Sequence, residues 1–111
     1  MDGVFYDLFS TARDLSTYYE DHVAAYGATA ATSCATGTHD VPYTLTFPDK
    51  AKLQGPGYRL LCFKDTNGAW LEQEDPADTM LITYLLKSGD QSKLYDWWTN
   101  TQTSVNPHPK E

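Results

Sequence analysis

The chain has 111 residues, of which 41% are hydrophobic and 14% aromatic. This composition excludes a disordered chain and suits a single domain with one core. Fifteen acidic residues outnumber eight basic ones, for a net charge of −7. Such a surface repels polyanions, so we expect no nucleic-acid partner and no binding to anionic membranes. No apolar run approaches the roughly 18 residues of a membrane span, which leaves other protein chains, in homo- or hetero-assemblies, as the expected partners.

A long helix is predicted between Asp2 and Gly27. Asp2 is placed as its N-cap, and Gly27 supplies the stop. The apolar positions recur at steps of three and four, which is the period of one helical face. They are Phe5, Leu8, Ala12, Leu15, Tyr19, His22 or Val23, and Tyr26. A helix of about 24 residues would cross the whole domain.

A hairpin at Tyr58 to Glu72 is predicted to form the centre of a small sheet. Two short apolar runs meet there at Asn67-Gly68, a dipeptide that accepts the positive φ of a tight turn. A two-residue turn on this dipeptide would pair residues poorly across the strands. A three-residue loop pairs Phe63 with Leu71 and a four-residue loop pairs it with Trp70, so we favour these longer loops.

A further strand is predicted before the hairpin, and helices are predicted after it. Residues 41–47 alternate apolar and polar side chains, and Pro42 suggests an edge position. Asp75-Pro76 is a typical helix start, so 76–87 is interpreted as a mostly buried helix. A strand is the alternative for this segment, because Leu81 to Tyr84 has good β character. Asp90 is expected to cap a last short helix.

The predicted fold class is therefore α+β. A long N-terminal helix packs on a three- to four-stranded antiparallel sheet, and one or two short C-terminal helices follow. Residues 1–100 form the single domain, and 101–111 form a polar tail that contains two prolines.

Cys34 and Cys62 are the two cysteines of the chain. A bond between them would close a loop of roughly 28 residues, worth about 3 to 4 kcal/mol in the chain-entropy model. This interpretation favours an oxidising, extracytoplasmic compartment, whereas in a reducing one they would be two buried thiols. No export leader is recognisable at the start of the sequence, which predicts a chain that is either not exported or already processed.

Reactive residue types are densest at Ser33, Cys34, His39 and Asp40. A Cys34–His39 thiolate pair or a small hydrolase that uses His39 and Asp40 is conceivable, but no catalytic signature surrounds these residues. The spacing of histidines and cysteines predicts no metal site, and His22 is interpreted as a residue at the edge of the core. The sequence Asp65-Thr66-Asn67-Gly68 resembles a hairpin turn more than a calcium loop.

Two groups of residues are candidates for an interface. Glu72, Glu74 and Asp78, with Asp75, form an acidic cluster that could face a cationic partner, although strand ends and helix caps also explain such residues. Tyr95, Trp97 and Trp98 lie on the last helix. Adjacent residues on a helix point about 100° apart, so one indole is expected in the core and the other at the surface.

The functional prediction is a non-catalytic structural or interaction protein, the small acidic subunit of a larger assembly, with an aromatic C-terminal surface. The alternative is a secreted or periplasmic disulfide-containing binding protein, such as an immunity protein, inhibitor or effector, that engages a basic partner. No enzymatic activity, cofactor or metal is predicted, because phosphate-binding loops, nucleotide fingerprints and catalytic constellations are absent from the sequence.

Overall fold

The computed structural model describes residues 1–46 and 52–104. Its elements in chain order are β1 (Gly3–Leu8), α1 (Ala12–Tyr26), β2 (Thr29–Ala30), β3 (His39–Pro42), β4 (Leu45–Thr46), β5 (Lys52–Leu53), β6 (Arg59–Asp65), β7 (Gly68–Asp75), β8 (Met80–Leu86) and α2 (Gln91–Ser104). A 3-10 turn, Pro76–Asp78, connects β7 to β8. None of the helices in these ranges is long and apolar enough to cross a bilayer.

Six strands form one mixed sheet in the order β1-β8-β7-β6-β3-β2, and β4 and β5 pair separately. All neighbours in the large sheet are antiparallel except β2 and β3, which are parallel. The α+β class is confirmed, but the three- to four-stranded antiparallel sheet is wrong. The prediction missed β2 and assigned the segments that form β1 and β8 to helices.

The long N-terminal helix is also wrong, because α1 has 15 residues and begins at Ala12. Thr11 is its N-cap and accepts a hydrogen bond from the backbone N–H of Asp14 at 3.1 Å. The carboxylate of Asp2 instead accepts from the backbone N–H of Lys87 at 2.7 Å. Residues 3–8 pair with β8 at six positions. This tertiary pairing overrides the local helical tendency that the spacing of their apolar residues indicates. The helix does end at Gly27, which has a φ of 65°.

The predicted helix over 76–87 is wrong, and its alternative as a strand is right. Only one 3-10 turn forms after Asp75, and Thr79 then adopts a left-handed conformation with a φ of 48° that redirects the chain. The strand β8 that follows lies between β1 and β7. Its side chains pack on both faces of the sheet, because Ile82 and Tyr84 are buried in the core on one side and Leu81 is buried in the core on the other.

The central hairpin is confirmed. Phe63 lies opposite Trp70, as the four-residue loop predicts, and not opposite Leu71. Asp65 also pairs with Gly68, so the loop contains only Thr66 and Asn67, and the prediction of a longer loop is wrong. Gly68 has a φ of 142°, and a Cβ at this position would collide with the carbonyl oxygen of Leu86. The glycine is therefore required both by the turn and by the close approach of β8.

The two helices cover opposite faces of the sheet. Leu15 and Tyr19 of α1 pack with Leu61, Phe63 and Leu81 on what we call the α1 face. On the α2 face, the core contains Leu94 and Trp98 of α2, with Cys34, Val41, Tyr43, Leu45, Leu60, Cys62, Ala69, Leu71, Ile82 and Tyr84.

Cys34 and Cys62 lie within bonding distance of each other in the α2-face core, with their Cα atoms 5.7 Å apart. They connect the segment before β3 to the central strand β6. This finding is compatible with an oxidising compartment.

The remaining predictions about local structure are resolved in part. The strand over 41–47 is divided between β3 and β4, and Phe47 lies outside the described residues. Asp90 caps the last helix, since its Oδ1 accepts from the backbone N–H of Lys93 at 3.1 Å. Helix α2 extends to Ser104, so it includes the first four residues of the predicted tail, and 105–111 lie outside the description.

Candidate binding surfaces

Strand β1 is the terminal strand of the large sheet and carries exposed apolar side chains. Leu8 is 76% exposed, Tyr6 64% and Phe5 51%, and Val4 is also exposed. Within the described ranges, β1 pairs only with β8. Edge strands are normally protected by charges, prolines or covering segments, so an apolar terminal strand is unusual.

The open edge of β1 presents the backbone groups of alternate residues. Phe9 lies opposite Thr79 at the end of the ladder, and its N–H donates to the Thr79 carbonyl at 2.8 Å. Antiparallel pairs alternate between bonded and non-bonded, so Phe5 and Asp7 bond to β8. The N–H and C=O groups of the even-numbered residues, including Tyr6, then point away from the sheet. A further strand could pair with these groups.

On the α2 face, a cleft lies between β1 and α2. It has a volume of about 230 Å³ and is lined by Val4, Tyr6, Met80, Ile82, Tyr84, Trp97 and Thr101. The ring of Trp97 packs edge-on against Tyr84 with centroids 5.5 Å apart, and the side chain remains 36% exposed. Among the described residues, α2 packs over β7 and β8 and leaves this face of β1 uncovered, and this arrangement forms the cleft.

On the α1 face, a row of rings runs along one side of α1. Tyr18, His22 and Tyr26 are four residues apart, so they stack on successive turns. The ring centroids of Tyr18 and His22 are 4.2 Å apart, and those of His22 and Tyr26 are 6.1 Å apart. Tyr26 then stacks on Phe63 at 3.9 Å. Tyr18 and Tyr26 are both exposed, so the row forms an aromatic surface beside the sheet.

Negative charge accompanies this aromatic row. The Nδ1 atom of His22 lies 2.7 Å from Oε1 of Glu72, which is buried on β7. Burial raises the pKa of Glu72, and the Asp7 carboxylate on β1 adds to this effect while the hydrogen bond from His22 opposes it. Burial likewise raises the pKa of Tyr18, with contributions from Glu72 and Asp7. Glu72 and Asp7 therefore act on the same patch of surface.

A second polar group on the α1 face surrounds Arg59. Its guanidinium donates to Asp40 at 3.2 Å and to Glu74 at 3.4 Å, and it also pairs with Glu20. It lies over the ring of Tyr19, 4.6 Å from the centroid, and the Tyr19 hydroxyl donates to Asp40 at 2.7 Å. These contacts hold α1 against β3, β6 and β7. Arg59 and its acidic partners therefore have a structural role.

Glu74 is the most perturbed acid of this group. Burial raises its pKa to about 7, although Arg59 lowers it. Its Oε2 atom has no hydrogen-bond partner among the described residues, which increases the cost of ionisation. The carboxyl group has a pKa suited to proton transfer, but it is only 1% exposed, so a substrate has no access to it.

A second cleft, of about 490 Å³, adjoins the start of α2. It is lined by Ala35, Thr36, Gly37, Lys64, Ser88, Gly89, Asp90, Gln91 and Ser92. The carboxylate of Asp90 caps the first turn of the helix and so occupies the position in which an anion would bind. Gln91 donates to the carbonyl oxygens of Cys34 and Gly37, which accounts for its burial.

The candidate catalytic residues are not brought together. Cys34 lies against Cys62 and so supplies no thiolate. His39 and Asp40 are adjacent on β3 and point to opposite faces, where His39 contacts Thr29 Oγ1 at 2.9 Å. Among the described residues, no three His, Cys, Asp or Glu side chains are arranged to hold a metal ion.

The residues predicted for an interface differ in how much of each side chain is exposed. Trp97 and Asp78 are exposed, whereas Glu72, Glu74 and Trp98 are buried. Trp98 stacks with the half-buried Tyr95 at 6.4 Å, and the expectation that one indole faces the core and the other the surface is confirmed.

Sequence reasoning missed β1 as a surface, because residues 3–8 were assigned to a helix. Their alternation of Val4, Tyr6 and Leu8 was a signal for a strand, and Thr11 followed by Asp14 was a signal for a later helix start. A comparison of the chain with family models, with curated proteins and with solved structures returns no match.

Proposed function

We propose that this chain is a non-catalytic interaction protein that docks a partner chain on strand β1. The observation that carries this proposal is a terminal strand with exposed Phe5, Tyr6 and Leu8, whose outer backbone edge pairs with no other strand of the described residues. Extended segments commonly bind by adding a strand to such an edge, with backbone hydrogen bonds for affinity and side-chain pockets for specificity.

The cleft beside Trp97 supports the same proposal. An added strand would place alternate side chains on the α2 face, next to Tyr6 and Trp97. Tryptophan and tyrosine are the residue types that most often anchor protein interfaces. The aromatic surface predicted at the C-terminus thus becomes one half of a larger surface, whose other half is β1.

A second candidate function is favoured by the cysteine pair. Cys34 and Cys62 are positioned to bond, and the net charge is −7. These features support an extracytoplasmic binding protein that engages a basic partner. Mass spectrometry of native protein, with and without reductant, tests this candidate, and free thiols at both positions would remove its main support.

Site-specific photo-crosslinking in extracts of the source cells tests the docking proposal. A photoreactive residue replaces Leu8 in one sample, and Asp96 on the outer side of α2 in a matched control, since both side chains are exposed. We expect one partner to crosslink at position 8 and not at 96, and peptide mapping to place the link on an extended segment.

A block on the open edge completes this experiment. Tyr6→Pro removes an N–H that points outward, together with the Tyr6 ring that lines the cleft, and leaves the hydrogen bonds from β1 to β8 in place. We expect this change to abolish the crosslink at position 8 while the fold is retained. Equal crosslinking at positions 8 and 96, or a crosslink at position 8 that persists in a folded Tyr6→Pro variant, would contradict docking on β1.

A further inference from the structure

We infer that the segment docked on β1 is an extended strand of a different protein in which apolar residues alternate with lysine or arginine. This inference rests on the proposed docking function and adds the chemistry of the partner. It follows from the different surroundings that the two faces of β1 offer to a neighbouring strand.

On the α2 face, the incoming side chains would be apolar. A strand paired with β1 places every second residue beside Val4, Tyr6 and Leu8. These three side chains are exposed, and two of them line the cleft of Trp97. Apolar side chains of the incoming strand would be buried against these three side chains. Removal of apolar surface from water is the main source of favourable free energy in association.

On the α1 face, the incoming side chains would meet negative charge and rings. Phe5 and Asp7 lie on this face of β1 together with Gly3, and the side chains of Phe5 and Asp7 are exposed. A residue directly opposite Asp7 would have its Cβ within about 4.5 to 5.5 Å of the Asp7 Cβ. Burial is the main cause that raises the pKa of Tyr18 and of Glu72, and the Asp7 carboxylate adds to both effects.

A cation over the exposed ring of Tyr18 would repeat a contact that the protein already makes. Arg59 lies 4.6 Å from the centroid of Tyr19, next to Asp40 and Glu74, on the other side of α1. A basic side chain opposite Asp7 would be attracted by that carboxylate, and one long enough to reach the Tyr18 ring would add the attraction to a ring.

A second copy of this chain is less well suited to the α1 face than a basic segment is. Antiparallel pairing of two β1 strands would place Phe5 and Asp7 of each copy beside the acidic surface of the other. Each chain carries a net charge of −7, so the two copies repel one another and no lysine or arginine of either β1 offsets this. Charge complementarity therefore favours a basic segment from a different protein.

Three labelled eight-residue peptides serve as probes, and fluorescence anisotropy measures their affinity. In all three, valine occupies every second position, and the positions between carry lysine, serine or glutamate. We expect the lysine peptide to bind at least about tenfold more tightly than the glutamate peptide, with the serine peptide between them.

A charge swap assigns this preference to one position. Asp7→Lys should reverse the order of the lysine and glutamate peptides. The control Asp96→Lys changes the net charge equally on an exposed residue of α2 and should preserve the order. Thermal unfolding verifies that both variants are folded, and Asp7→Asn provides a milder change that should reduce the preference without reversing it.

The outcomes separate the inference from the proposed function. If the three peptides bind equally and Tyr6→Pro abolishes all binding, the basic partner is overturned while docking on β1 is retained. If the order is the same in Asp7→Lys as in the unaltered protein, the assignment to Asp7 is overturned. If no peptide binds β1, both the inference and strand docking fail.

Discussion

The indole Nε1 of Trp98 donates a hydrogen bond to Oε1 of Gln73 at 3.1 Å, inside the core on the α2 face. The same oxygen accepts from the hydroxyl of Tyr84 at 2.8 Å. The amide nitrogen of Gln73 faces the hydroxyl of Tyr43 at 3.3 Å, and that hydroxyl donates to the backbone carbonyl of Glu74 at 2.7 Å. The fully buried amide of Gln73, on β7, therefore connects Trp98 of α2 with Tyr84 of β8 and with Tyr43, which lies between β3 and β4.

Gln73→Leu should destabilise the protein by about 2 to 4 kcal/mol. The leucine would leave the Trp98 indole and the Tyr84 hydroxyl buried without their acceptor, and each lost partner costs about 1 to 3 kcal/mol. Urea denaturation measures the loss. Gln54→Leu, at an exposed position, is the control and should change stability by less than about 0.5 kcal/mol. Equal stability of the two variants would show that the network contributes little.

Glu74→Gln should stabilise the protein at pH 8 and have little effect at pH 4.5. Burial raises the pKa of Glu74 to about 7 in the native state, above the value of about 4.3 for an unfolded glutamate. At a pH between these two pKa values, Glu74 keeps its proton in the native state and has lost it in the unfolded state. The glutamate's contribution to stability therefore falls as pH rises through this window.

Glutamine cannot ionise, so the stability of the variant does not fall in this way as pH rises. We expect a gain of about 1 to 3 kcal/mol at pH 8 from denaturation curves measured at several pH values. Asp96→Asn, on an exposed residue, is the matched control and should show no such trend. A Glu74→Gln variant that is less stable than the unaltered protein at pH 8 would show that ionised Glu74 is stabilised by Arg59.

Replacing Cys34 and Cys62 together by serine should lower the free energy of unfolding by about 3 to 4 kcal/mol. The pair is separated by 28 positions in the sequence, and a crosslink of this span restricts the unfolded chain by that amount in the chain-entropy model. Denaturation with and without a reductant measures the effect. If reductant leaves the unaltered protein as stable as before, the two cysteines are not bonded in the native protein.

Local signals in the sequence were sufficient where one residue determines the backbone. Gly27 ends α1, Asp90 caps α2, and the pairing of Phe63 with Trp70 follows from matching side chains across the hairpin. Each of these features depends on contacts within about ten residues, so an unaligned sequence contains the necessary information.

Sequence reasoning failed where distant pairing decides the structure. Residues 3–8 fit a helical period and 80–86 fit either a helix or a strand, but the two segments pair with each other across more than seventy positions. That pairing is favourable only when both segments are extended, and neither segment alone reveals it. Because β1 was not recognised, its exposed edge and the cleft that it forms with Trp97 were not recognised either.

The acidic cluster illustrates a second limit. Glu72 and Glu74 were expected to face a partner, and the structure buries both on β7 beneath α1. Their partners, His22 and Arg59, come from other parts of the chain, and burial of a carboxylate depends on such partners. The sequence supplied the charges, whereas the tertiary fold determined which of them remain accessible.

Amide hydrogen exchange with and without the alternating valine–lysine peptide tests the open edge of β1 most directly. In the free protein, the N–H groups of Val4, Tyr6 and Leu8 should exchange at least about tenfold faster than those of Phe5 and Asp7, which bond to β8. Saturating peptide should slow exchange at the three even-numbered positions. Equal protection along β1 in the free protein, or protection by the peptide only elsewhere, would contradict docking on this strand.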